Sequence, residues 1–137
     1  MIKKKILDPE RIRRIEGGFS FIPHRFLAEG FLAALSQKEL LLYLFLVLAS
    51  DRYGLSFYSY DIICSLLQIS VEEYIEARDA LIKKVLIAFD GTLFQVLDLP
   101  PKPITDSLVH RSNPSRKDRS NIKELIQQSL WRAEGGR

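Results

Sequence analysis

Few side chains in this sequence are placed to make or break bonds. His24 and His110 lie far apart, and neither has a cysteine beside it. Zinc needs three or four converging ligands, so no metal centre is expected and no cofactor is implied. Cys64, the only cysteine, sits among Ile62, Ile63, Leu66 and Leu67, which reads as a buried thiol rather than a nucleophile. One cysteine also excludes an internal disulfide. Gly17-Gly18 and Gly135-Gly136 are isolated pairs and do not form a phosphate-cradling loop. No serine stands in a recognisable nucleophile turn beside a base. The expectation is a protein without catalytic activity.

Binding chemistry is better represented. Lys3, Lys4, Lys5, Arg11, Arg13 and Arg14 crowd the beginning of the chain, and Arg111, Arg116, Lys117 and Arg119 crowd its last third. Residues 1–35 hold seven Lys/Arg against four Asp/Glu, residues 36–99 five against nine, and residues 100–137 eight against four. An acidic middle is thus flanked by two basic ends. Such ends are either solvated charge or arms that lie along phosphates. Aromatic residues are not interleaved with the cations, which argues against a single-strand stacking platform.

The elements that position these groups follow from periodicity. Residues 1–18 are polar, basic and closed by Gly17-Gly18, an arm. Phe26, Leu27, Phe31 and Leu35 recur near helical spacing, predicting a short amphipathic helix over 24–35. Ser36-Gln37-Lys38-Glu39 is a capping-box sequence that starts a helix running to about Ser50. That helix is apolar on every side from Leu40 to Ala49, a run of ten. A membrane span needs roughly 20 residues, so the run predicts a helix covered on all sides within a core. The cover is either residues 19–35 or a second copy of the chain. Leu55 to Tyr58 fits a short strand. Ser59 is placed to cap a second helix, Tyr60 to Leu67, and Gln68-Ile69 fits a tight turn. Ser70-Val71-Glu72-Glu73 is a second capping box opening a third helix to about Lys84, with Tyr74, Ala77 and Leu81 inward. Asp90-Gly91 between Leu86–Phe89 and Thr92–Leu97 predicts a two-residue hairpin. Pro100-Pro101-Lys102-Pro103 ends the fold; residues 100–120 read as a linker and 121–133 as a C-terminal amphipathic helix.

Helix, strand, helix, tight turn, helix and hairpin, in that order, resemble the winged helix-turn-helix. Leu66-Leu67-Gln68-Ile69-Ser70 looks like the turn of bacterial winged-helix regulators, and Leu81-Ile82-Lys83-Lys84-Val85-Leu86-Ile87 looks like their passage from recognition helix to wing. The resemblance covers residues 36–99 and extends to regulators of the MarR and GntR types and to initiators of plasmid and phage replication. It implies a mainly α fold with a small β-hairpin wing, here with an extra N-terminal and a C-terminal helix. It also implies duplex DNA as partner and a homodimer. The implied groove-facing residues are Ser70, Val71, Glu72, Glu73 and Glu76. Lys83, Lys84, Asp90, Gly91 and Thr92 would lie near phosphate. Relatives commonly carry Gly where Val85 stands and polar or basic residues where the three carboxylates stand. Carboxylates repel phosphate-lined walls; alternatively, Glu72 and Glu73 serve the helix cap and dipole. The expected function is a transcriptional regulator or an accessory protein of replication or of a mobile element. The alternative is a winged-helix module that docks a protein on its acidic third helix and never touches DNA. With no apolar segment of signal-peptide length near the start, a cytoplasmic location is expected.

Overall fold

The computed structural model describes residues 2–104. The predicted helix over 121–133, the linker from residue 105 on, His110 and the cations Arg111, Arg116, Lys117 and Arg119 lie outside the described residues.

The described chain is a helical layer closed by a small sheet. Its elements are α1 (Arg25–Ala28), α2 (Gln37–Ala49), β1 (Leu55–Ser56), α3 (Tyr60–Leu67), α4 (Val71–Lys83), β2 (Ile87–Phe89) and β3 (Phe94–Val96). The three strands are antiparallel in the order β1-β3-β2. Leu42 and Leu46 of α2, Ile63 of α3, Leu81 of α4, Ile87 of β2 and Phe94 of β3 are all buried in one core. The helices α2 and α4 thus contribute stripes at helical spacing, α1 and α3 one buried residue each, and each hairpin strand an inward residue.

The first predicted helix is much shorter than 24–35. Four residues are helical; the chain then turns, with Leu32 N–H donating to the Phe26 carbonyl at 3.0 Å and Gly30 at φ +88°. Glycine in the middle of the pattern takes a left-handed conformation that a helix cannot continue. Two of the apolar residues, Phe26 and Phe31, still do the expected work, while Leu27 is exposed. Phe26 stacks on Tyr43 of α2, with centroids 5.0 Å apart, and Phe31 is buried behind it. Arg25 lies over the Phe31 ring and donates to the carbonyls of Leu99 and Pro100, so the chain past Leu99 is tied to α1 and does not leave the fold at Pro100.

Residues 19–35 therefore cover one side of α2. They do not cover all of it: Leu41 and Leu48 stay exposed, Leu48 at 76%. The all-round burial expected of this helix is only partly met.

Capping chemistry divides between the helices. Ser70 accepts from Glu73 N–H at 3.0 Å and Glu73 accepts from Ser70 N–H at 2.9 Å, a complete box. Ser36 accepts from Glu39 N–H, but the Glu39 carboxylate turns away to pair with Lys84, so this box is half formed. Ser59 does not accept from α3. Its hydroxyl serves the Asp61 carboxylate, which it holds below the ordinary carboxylate range.

The hairpin turns one residue later than Asp90-Gly91. Phe89 pairs with Phe94, and Asp90 N–H donates to the Leu93 carbonyl, leaving Gly91-Thr92 at the tip. Gly91 has φ +101°, while Asp90 does not have positive φ. Asp90 Oδ1 instead accepts from the N–H groups of Thr92 and Leu93 at 2.8 and 2.7 Å. A carboxylate that closes the turn from its first position replaces the turn in which Asp itself must be left-handed. At the other edge, Gly54 (φ +84°) receives Val96 N–H at 2.8 Å. A Cβ there would lie 2.5 Å from the Val96 carbonyl oxygen, so only glycine lets β1 meet β3 this closely.

Candidate nucleic-acid interface

The side chains expected at the groove begin at the α4 N-terminus. Ser70 and Glu73 are spent within the capping box, and Glu73 also pairs with Lys38 in the first turn of α2. Lys38 and the Ser70 backbone pull the Glu73 carboxyl down to about 2. Glu73 is thus a fixed anion that ties α4 to α2. Val71, Glu72 and Glu76 face outward and are exposed.

A helix advances 100° per residue, so Val71, Ile75 and Ile82 share one row, and Glu72, Glu76 and Asp79 the row beside it. The apolar row is 46%, 40% and 38% exposed. α3 adds Ile62 and Leu66, one turn apart and also exposed. The exposed isoleucines of α4 escaped the sequence reading because the inward stripe of Tyr74, Ala77 and Leu81 already accounts for the helix. The signal was present, since positions 75 and 82 fall outside that stripe.

The phosphate-side candidates are divided. Lys83 is exposed, with no carboxylate partner among the described residues. Lys84 points inward: its ammonium pairs with Glu39 and donates to the Ala34 carbonyl at 2.9 Å, with only 17% of the side chain exposed. It binds residues 19–35 and α2 to the end of α4. Asp90, Gly91 and Thr92 are exposed at the hairpin tip, and the Asp90 carboxyl is lowered by the Leu93 and Thr92 N–H groups. Arg78 is no free cation either. It lies over Tyr74 and Phe89, at 5.5 and 5.2 Å from the ring centroids, and pairs with Asp79.

The arm differs. Every residue from 2 to 18 is exposed, and its only regular element is a 3-10 turn at Pro9–Arg11 capped by Asp8. None of Lys3, Lys4, Lys5, Arg11, Arg13 and Arg14 is ion-paired to the described fold. Among the described residues the arm thus holds six unpaired cations against few carboxylates, while α4 exposes Glu72 and Glu76 beside the single unpaired cation Lys83.

Burial, then Asp61, pushes the Cys64 thiol up, and its Sγ lies 3.8 Å from the Ser70 carbonyl; nothing there favours a thiolate. Among the described residues no three His, Cys, Asp or Glu side chains converge as a metal requires, and no helix is long and apolar enough to cross a membrane. Comparison with protein-family models, curated proteins and solved structures returned no match for this chain.

Proposed function

We propose that this is a non-catalytic winged-helix protein that associates with duplex DNA, holding phosphates with its arm rather than reading bases with α4. The order α2-β1-α3-α4-β2-β3 and the sheet order β1-β3-β2 support the winged-helix assignment. The observation that carries the binding reading is the arm, six cations exposed along 17 residues with no partner in the fold. Phosphate contact of this kind positions a protein on DNA without specifying sequence. Lys83 and the tip at Gly91-Thr92 extend the contact surface. Glu72 and Glu76 disfavour a base-reading role for α4, because they would face phosphate-lined walls. Regulation of transcription, or an accessory part in replication or in a mobile element, from a cytoplasmic location, is the role this chemistry fits. A homodimer belongs to the same reading, since two copies double the phosphate contacts and the exposed Leu41 and Leu48 leave apolar surface for a partner.

One observation favours a second reading. An exposed row of Val71, Ile75 and Ile82 beside carboxylates is suited to a protein, not to a polyanion. Fluorescence anisotropy with random-sequence duplex DNA separates the two. The full chain is titrated over a range of salt, beside a variant with the six arm cations changed to Gln. A steep salt slope that the variant loses supports the DNA reading. No binding by either at low salt overturns it and leaves the protein-docking module.

A further inference from the structure

The arm is not only basic. Ile2, Ile6, Leu7, Ile12 and Ile15 alternate with its cations, and each is more than half exposed. A solvated tail does not need five large apolar side chains. The outer surface of α4 is also partly apolar, and its exposed carboxylates outnumber its exposed cation, Lys83. Val71, Ile75 and Ile82 form one row, and beside it Glu72 and Glu76 have no cationic partner among the described residues. The arm finds no seat on its own fold, since residues 2–18 are exposed throughout. Extended, 17 residues reach up to about 55 Å, far enough to cross to a neighbouring molecule.

We propose that the arm of one copy seats on the exposed α4 face of a second copy, so that two copies hold each other by exchanging arms. The proposal rests on the homodimer of the reading above and names its contact. Arm isoleucines cover Val71, Ile75 and Ile82, while Lys3, Lys4 and Lys5 face Glu72 and Glu76. Apolar burial supplies the attraction, and the charges set partner and register. Lys3, Lys4 and Lys5 cannot hold phosphate and carboxylate at once, so DNA competes with the second copy for these three, while Arg11, Arg13 and Arg14 stay available to phosphate in the dimer.

Sedimentation velocity on the full chain, over a range of concentration and salt, tests this without DNA. The variants are Glu72→Lys with Glu76→Lys, and Lys3→Glu with Lys4→Glu and Lys5→Glu. All five positions are exposed, and far-UV circular dichroism checks that the fold is kept. The expected result is a wild-type dimer that weakens with salt and is weakened about tenfold or more in either variant. Mixing the two variants restores a dimer, because each reversed arm then meets a reversed face. A monomeric wild type overturns both the exchange and the homodimer. A dimer indifferent to both reversals overturns the exchange alone and moves the contact elsewhere, to Leu41 and Leu48. Loss of the dimer without restoration on mixing also overturns it.

Discussion

Val85 has φ +58° just past Lys84, the C-cap of α4. Its N–H donates to the Ile82 carbonyl, and the next N–H, of Leu86, reaches the Leu81 carbonyl at 3.1 Å. This pair of bonds is the Schellman exit, whose left-handed residue is usually glycine. A β-branched residue there costs about 1–2 kcal/mol in backbone strain, and glycine returns part of that as entropy of the unfolded chain. Val85→Gly is therefore expected to raise stability by about 0.5–1 kcal/mol, read as a higher urea midpoint at constant slope. A lower midpoint would show that Val85, only 44% exposed, contributes more by packing than it loses by strain. Glu73 makes a second prediction. Its folded carboxyl titrates at about 2 against an ordinary 4.5, so its charge stabilises the fold above pH 4.5. That contribution is lost as pH falls from 4.5 toward 2. Glu73→Gln keeps an acceptor for Ser70 N–H but removes the anion from Lys38. Wild type is thus expected to be the more stable near neutrality, with the gap closing through this window in acid denaturation curves. A gap that does not change with pH would mean that the Lys38 pair adds nothing.

Residues 19–35 have little regular structure but act as part of the core. Phe31 is 2% exposed, and Lys84 binds the nearby Ala34 carbonyl. Truncating a buried phenylalanine costs about 3–5 kcal/mol. Phe31→Ala is expected to lose that much in denaturant and to expose the 19–35 backbone to hydrogen exchange with α2. Loss of protection in 19–35 alone, with α2 and α4 unchanged, would make the segment an appendage rather than a layer. Periodicity placed Phe26 and Phe31 inward correctly but also counted Leu27, which is exposed, and overestimated the helix, because Gly30 admits a turn that spacing does not register. The α4 box formed as its residues suggested, since Glu73 can serve Ser70 and Lys38 at once. Glu39 cannot serve both Ser36 and Lys84, and the distant partner has it.

Across the molecule, charge separates into a basic arm and an acidic α4. If all six arm cations meet phosphate, their removal flattens the logarithmic salt dependence of DNA binding by up to about five. A slope that stays unchanged would place the contacts elsewhere, with Lys83 and the hairpin tip first in line. At protein concentrations too low for pairing, arm removal is expected to leave the denaturation midpoint alone, because no residue from 2 to 18 is buried against its own fold.

Among the described residues, helix order, the hairpin, the inward stripe of α4 and the basic arm are local properties, set by periodicity, capping residues and charge runs, and the amino-acid sequence determined them by itself. Which candidate site residues remain available is not a local property. Lys84 and Glu73 belong to the candidate set by position, yet Glu39 lies 45 residues from one and Lys38 lies 35 residues from the other. Only packing of α4 against α2 brings those charges within reach, and so only the tertiary structure made them braces of the fold. It also decided that α4 presents isoleucine and glutamate outward. A helix's outer face is defined by what its neighbours leave uncovered, and the neighbours are known only once the chain has folded.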